Sequence, residues 1–175
     1  MTLRLVAPEP RHVEGWWRWR RDPDSRRFMA LPAGDLAEWA EKLAKAKTAP
    51  SDRSGELYRW MAEDDGVPVG SVTLAYVDWN HLFAELGYVV APEARGKGHG
   101  RAMAAAALTL GFAAGLERVM AFICTDNPAS IALVEGLGFQ REGLLRRHAV
   151  IEGERRDHYL YGLLRGEWRS PAATP

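Results

Sequence analysis

The apolar positions of this chain change period several times, and the changes outline its elements. Leu3 to Val6 is a short apolar run that predicts a strand, ended by Pro8 and Pro10. Val13, Trp16, Trp17 and Arg20 share one side of a predicted helix that Asp22-Pro23 stops. Asp24 to Ala33 has no clear period and reads as a loop or an irregular helix. Asp35 with Glu38 forms a capping-box pattern, and Leu36, Trp39, Leu43 and Ala46 then continue an amphipathic helix to about Lys47. Thr48 to Gly55 has the composition of a surface loop rather than a domain boundary.

The middle and end of the chain alternate strand and helix signals. Tyr58 to Glu63 and Val67 to Leu74 flank Asp64-Asp65-Gly66 as a hairpin, and Glu85 to Val90 is a further strand. Gly100 to Ala114 is rich in Ala, Leu and Met and predicts a helix, with Gly115 at its end. Arg118 to Ile123 reads as a buried strand, and Asn127 to Leu137 as a helix opened by Pro128 and closed by Gly138. Arg146 to Ile151 and Arg156 to Leu164 form a second hairpin around Glu152-Gly153-Glu154. The order implies an α/β or α+β mixed fold in a single domain over 1–169, with a disordered tail over 170–175.

Composition narrows the function classes. The 23 basic and 23 acidic side chains cancel, so the global charge expected of a nucleic-acid binder is missing. No apolar run approaches the ~20 residues of a membrane span, and the N-terminus lacks a signal-peptide pattern. One cysteine, Cys124, excludes an internal disulfide framework. The expectation is a cytoplasmic protein with neither a nucleic-acid nor a membrane partner; monomer and homodimer both remain open.

The chemistry concentrates after the Glu85–Val90 strand, in Arg95-Gly96-Lys97-Gly98-His99-Gly100. Alternate glycines immediately before a helix let the backbone approach a ligand without Cβ interference. The first N–H groups of that helix have no intrahelical partner and sit at its positive dipole end, which makes an anion cradle. Arg95, Lys97 and Arg101 add charge where a pyrophosphate would lie. A P-loop is excluded because Arg101 and Ala102 follow Gly100, and a dinucleotide fingerprint because Arg101 or Met103 stands where its third glycine belongs.

With those residues in view, Arg95-x-x-Gly98-x-Gly100 between a strand and a helix resembles the acetyl-CoA signature of the GNAT superfamily of N-acetyltransferases. Asn127-Pro128-Ala129-Ser130, leading to Leu137-Gly138-Phe139, is similar to the matching stretch of the RimJ/RimL ribosomal-protein acetyltransferases, as is Arg156 to Leu164. The resemblance implies a strongly twisted mixed sheet flanked by helices, with the strands before and after the cradle helix splayed to admit the pantetheine arm. It implies acetyl-CoA as donor, no metal, and an amine acceptor: a protein N-terminus by preference, a small amine such as an aminoglycoside or polyamine as the alternative. It places Gly96, Lys97, Gly98, His99, Gly100 and Arg101 at the pyrophosphate and Asn127 at the pantetheine arm. Backbone amides of Tyr88, Val89 and Val90 fall near the thioester, Val89 or a neighbour being the oxyanion donor.

The chain departs from the family at one catalytic position. Many members carry a tyrosine four residues after the position of Ser130, as acid for the leaving thiolate; here it is Val134. The acid is then Ser130 or water, and the loss keeps a non-catalytic CoA-binding protein as a rival reading. Glu85 is the candidate general base, through a water, with Asp78 and His81 as alternatives. Cys124 has no partner identifiable from sequence, and the five histidines show no metal-ligand spacing. Trp16, Trp17, Trp19 and Trp39 read as packing, with one or two available to an acceptor slot. Arg146, Arg147, Arg155 and Arg156 read as a solvated basic face.

Overall fold

Seven strands form one sheet in the order β1-β2-β3-β4-β5-β7-β6, in a computed structural model that describes residues 2–30 and 34–170. The strands are β1 (Leu3–Val6), β2 (Leu57–Asp64), β3 (Val67–Asp78), β4 (Phe83–Val90), β5 (Arg118–Cys124), β6 (Gln140–Ile151) and β7 (Glu154–Leu164). The helices are α1 (Val13–Arg21), α2 (Pro23–Arg26), α3 (Leu36–Ala44), α4 (His99–Ala113) and α5 (Pro128–Gly136). Of the pairs between these seven strands, β4–β5 is parallel and the others are antiparallel. Its crossover is α4, as a parallel pair requires. The mixed α/β expectation holds; the expected tail falls outside the described residues from 171 on.

The register sorts β3 and β4 into two faces. Val72 stands opposite Tyr88 and Leu74 opposite Leu86, while Ser71 stands opposite Val89 and Ala75 opposite Glu85. The first set faces α4, where glycines allow close approach: a Cβ on Gly111 would lie 2.8 Å from Leu74 Cδ1. The second set faces α1, whose fully buried Trp16 donates its indole N–H to Ser71 Oγ at 3.1 Å. Trp16 packs against Trp39 of α3 in a tilted contact with centroids 4.8 Å apart, so α1 and α3 cover that face together.

One gap in the sheet positions everything that follows. β4 pairs with β5 only from Phe83–Arg118 to Glu85–Met120, although β5 continues along β7 as far as Cys124–His158. Beyond Glu85 the two strands separate, leaving one edge of Leu86 to Val90 unpaired inside the molecule. An unpaired buried edge is costly unless a ligand or water satisfies it.

Strand limits differ from the sequence expectation where polar residues hide the ladder. β3 runs to Asp78 rather than Leu74, through an irregularity between Ala75 and Asp78 that places Tyr76 at φ 49°. β6 begins at Gln140 rather than Arg146, because Gln140-Arg141-Glu142-Gly143 is an exposed edge held by backbone pairing to β7. The segment after Asp22 forms one helical turn, α2, capped by Asp22 accepting from Ser25 N–H at 3.1 Å.

Candidate active site

Gly96 and Gly98 take φ of 74° and 81°, in the left-handed region where a side chain is strained. Gly98 is the N-cap of α4. A Cβ at either glycine would meet nothing within 4 Å, because both open onto a cavity of about 590 Å³. The first-turn amides of His99, Gly100 and Arg101 have no carbonyl one turn earlier to bond. These features fit a phosphate-bearing cofactor. Gly100 is glycine for another reason: its Cβ would sit 2.9 Å from Leu133 Cδ1 and 3.2 Å from Val90 Cγ2, so it permits α4 to pack on α5 and β4.

The side chains expected to add charge to the cradle are mostly engaged elsewhere. Arg95 donates to Asp22 at 2.6 Å and Ser25 Oγ at 2.9 Å, with Asp24 at 3.4 Å. It anchors α2 against the cradle, and its charge is answered there by carboxylates. Lys97 Nζ donates to the Glu93 carbonyl at 3.0 Å. The imidazole of His99 is buried, with Nδ1 3.0 Å from the Ala94 carbonyl and Nε2 3.0 Å from Asp64 Oδ2. His99 therefore ties the turn to β2, and its hydrogen bond holds the Asp64 carboxyl below its ordinary value. Of the cations singled out in the sequence, Arg101 lines the cavity without a carboxylate partner among the described residues.

The ladder decides which β4 amides face the gap. Ala91 N–H donates to the Val69 carbonyl at 2.9 Å, in register with the Val89–Ser71 and Gly87–Thr73 pairs. Antiparallel alternation then turns the Val89 N–H toward β3 and the Tyr88 and Val90 N–H groups into the splay. The Val89 N–H, named first in the oxyanion expectation, is thus paired within the sheet, and the neighbouring amides that the expectation also allowed face the gap. Asn127 Oδ1 accepts from Ser130 N–H at 3.1 Å as the N-cap of α5, so its oxygen is committed to the helix. Val134 is fully buried in the core, and its neighbour Glu135 accepts from the Tyr161 hydroxyl at 2.8 Å and lines neither cavity.

Sequence reasoning used Tyr88 for its backbone and overlooked its side chain. The Tyr88 hydroxyl is buried without a hydrogen-bond partner among the described residues. Burial pushes this phenol up to about 12, opposed by the neighbouring Ser130 hydroxyl. A buried, unanswered hydroxyl beside a serine is the polar group a ligand would complete.

A second cavity of about 780 Å³ opens on the other side of the splay. Phe28, Met29, Tyr88, Asn127 and Ser130 line both cavities, which thus meet along the unpaired edge of β4. Glu85 lines the second cavity, and burial raises its carboxyl above the ordinary value with no cation opposing. Asp78 accepts from the N–H groups of Asn80 and His81 at 2.8 and 2.9 Å; neither Asp78 nor His81 lines this space. The tryptophans at 16, 17, 19 and 39 also stand outside it; its aromatic wall is Phe28, Tyr76, Tyr88 and Phe122. Cys124 does have a partner, with Sγ 3.2 Å from His158 Nε2. Burial raises the thiol and lowers the imidazole, so the pair is neutral rather than a reactive thiolate–imidazolium. Of the basic face, Arg156 is paired with Asp126.

Two arginines on the α1 side escaped the sequence reading as site residues. Arg20 lines the second cavity, and Arg59 extends from β2. Their guanidinium carbons lie 5.2 and 5.1 Å from the Trp16 ring centroid. Burial lowers Arg20, and burial together with the Arg20 charge lowers Arg59 to about 10. Both remain cations at neutral pH.

No group of three or more His, Cys, Asp or Glu side chains among the described residues is arranged to hold a metal. Nor is any helix there long and apolar enough to cross a membrane.

Residues 2–140 match the family model described as Acetyltransferase (GNAT) domain. The uncharacterized N-acetyltransferase p20 of Bacillus licheniformis is 25% identical over 171 residues, covering 96% of this chain and 94% of that protein. A Bacillus subtilis relative named "Putative ribosomal N-acetyltransferase YdaF" is 34% identical over 168 residues, covering 94% and 84%. The solved spermidine N-acetyltransferase of Vibrio cholerae, in complex with CoA and spermine, has the same fold, with a TM-score of 0.83 at 24% identity over 95% of this chain and 97% of that one.

Proposed function

This chain belongs to the acetyltransferase (GNAT) family, whose donor is acetyl-CoA, and from that premise we propose that it acetylates a primary amine, a protein N-terminus being the favoured acceptor. The observation that carries the reading is the meeting of two cavities along the unpaired edge of β4, at Tyr88, Asn127 and Ser130. One cavity ends in an anion cradle, as a donor with a pyrophosphate requires; the other holds a carboxylate raised by burial, as a base for an amine requires. The name of the Bacillus subtilis relative supports the protein acceptor. A polyamine is the second reading, favoured by the spermine complex of the Vibrio cholerae enzyme. A donor made inside the cell supports a cytoplasmic site of action.

Bound acetyl-CoA supplies an activated acyl carbonyl and a thiol leaving group. The amides of Gly98, His99, Gly100 and Arg101 hold the pyrophosphate, with the Arg101 side chain beside them. The Tyr88 and Val90 N–H groups, turned into the splay, would be the donors to a carbonyl oxygen gaining negative charge there, and preorganised donors of that kind lower the barrier. Glu85 receives the proton of the acceptor ammonium, directly or through water. Ser130, backed by the Tyr88 hydroxyl, would pass to the departing sulfur the second proton that the attacking nitrogen sheds, and so keep its own. Asn127 fixes the start of α5 and so the position of Ser130.

Turnover of acetyl-CoA against N-terminal peptides, aminoglycosides and polyamines tests this reading, alongside the thermal shift produced by CoA. Ligand that binds the native state raises its melting temperature by mass action. A shift with CoA and acetylation of at least one amine is the expected result. Absence of both would remove the proposal; a shift with no turnover on any amine would leave a CoA-binding protein.

A further inference from the structure

The second cavity is bipolar. Glu85 on β4 and Arg20 on α1 line it, while Arg59 on β2 stands outside its lining, near enough to Arg20 for the two charges to interact. No salt bridge joins either arginine to a carboxylate among the described residues, and the residues outside the description carry no Asp or Glu side chain. Glu85 does not neutralise them: no cation acts on its carboxyl, and the charge felt by Arg59 is that of Arg20. Thirteen other arginines and lysines reach a carboxylate or a carbonyl among the described residues, whereas neither member of this half-buried pair reaches a carboxylate.

The Trp16 ring answers part of the charge of both guanidiniums, whose carbons lie over it, but it accepts no conventional hydrogen bond from their N–H groups. Among the described residues Arg20 has a single long contact, Nη2 to the Ala30 carbonyl at 3.5 Å, and its Nε is buried with no partner there. Two like charges held together in a half-buried place repel, and a buried donor without an acceptor is destabilising. An anion from outside the chain would relieve both. A guanidinium fork matches the paired oxygens of a carboxylate or phosphate.

We propose that Arg20 and Arg59 form an anion subsite in the acceptor cavity, so that the enzyme selects amines carrying a carboxylate or phosphate on the same molecule. The inference rests on the acetyltransferase reading of this site and names the acceptor class within it. Glu85 addresses the amine and the arginine pair addresses the anion. The group can be an acidic side chain following a protein N-terminus, the carboxylate of a free amino acid, or a phosphate ester. A polyamine, all cation, meets repulsion at this end.

Matched acceptors provide the test: N-terminal peptides with Glu or Gln at the second position, a free amino acid against its amide, 2-aminoethyl phosphate against ethanolamine, and spermidine. The anionic member of at least one pair is expected to have the higher kcat/KM by about 10-fold to 10²-fold, the range of charge-assisted hydrogen bonds, mostly through KM. The pair that shows it identifies the source of the anion, and spermidine should be the poorest acceptor. Arg20→Met and Arg59→Met should collapse the preference without changing CoA affinity, whereas Arg59→Lys should keep part of it. Melting curves establish that each variant is folded. Equal kcat/KM within every pair, or an undiminished preference in folded Arg20→Met and Arg59→Met, overturns the subsite while acetyl transfer to any amine leaves the parent reading standing. If no amine turns over, calorimetric titration of N-acetyl-glutamate and N-acetyl-glutaminamide in the presence of CoA decides: tighter binding of the acid supports the subsite, and equal or absent binding overturns it.

Discussion

The donor cavity and the acceptor cavity share a wall, yet they are built from different materials. The donor side is mostly backbone: two left-handed glycines, the first amides of α4 and the free edge of β4. The acceptor side is mostly side chains, brought from α1, the segment after α2, β4, β5 and the β6–β7 hairpin. A backbone device depends on a short contiguous stretch, because turn and helix start must be adjacent. A side-chain device gathers distant residues and changes whenever one of them changes. The donor half therefore fixes which cofactor the enzyme uses, and the acceptor half decides whom it serves.

That division predicts its sharpest effect at Gly98. Gly98→Val should abolish the CoA-induced rise in melting temperature, since a β-branched residue is strained at φ 81° and its Cβ projects into the cradle. Unchanged CoA affinity in a folded Gly98→Val protein would show that the cradle is not where the cofactor binds. Next come the hydroxyls at the shared wall. Ser130→Ala should lower kcat by about 10²-fold, the scale of lost acid–base assistance, with a smaller effect on CoA affinity. Tyr88→Phe should lower kcat in the same direction, and in the double variant the losses should fall short of adding, as for groups acting together. A full-rate Ser130→Ala enzyme would move the proton donation to water.

Glu85→Gln separates the two cavities by pH. It should leave CoA binding intact and depress kcat/KM most at low pH, where little of the acceptor is already neutral. The defect should shrink as pH rises and solution deprotonates the amine; a loss equal at every pH would indicate positioning instead. The same substitution has a stability signature. Burial raises the folded pKa of Glu85, so its contribution is most favourable below the ordinary carboxylate range and is lost as pH rises through the raised value. Glu85→Gln should therefore melt slightly higher than the parent at neutral pH, the gain vanishing at acid pH.

The smallest effect on function belongs to Gly100, although it lies in the same run as Gly98. Gly100→Ala should destabilise the fold by ~1–3 kcal/mol, the range for overpacking, because its Cβ meets Leu133 and Val90. Its folded fraction should still bind CoA. Denaturant melts and CoA titration together check this, and a selective loss of CoA affinity at undiminished stability would show that the cofactor, rather than packing, requires a glycine at 100.

The sequence by itself determined the cradle, the strand–helix–strand unit around it and the family. Those features are local: Gly96 and Gly98 are needed where φ turns positive, Asp35 and Asn127 cap the helices they precede, and the alternation of strands follows apolar period. It also singled out Glu85 and Ser130 by their offset from those landmarks. Only the tertiary structure decided what the charges near the cradle do. Arg95 and Lys97 are drawn to Asp22, Asp24 and the Glu93 carbonyl, and His99 to Asp64, because a nearby acceptor inside the fold outcompetes solvent. It also decided that the Tyr88 and Val90 amides, rather than that of Val89, face the gap, since strand register is set by the partner strand. The meeting of Arg20, Arg59 and Trp16 belongs to the same class: β2 and α1 are some forty residues apart in sequence, and no local pattern records which of their side chains will share a face.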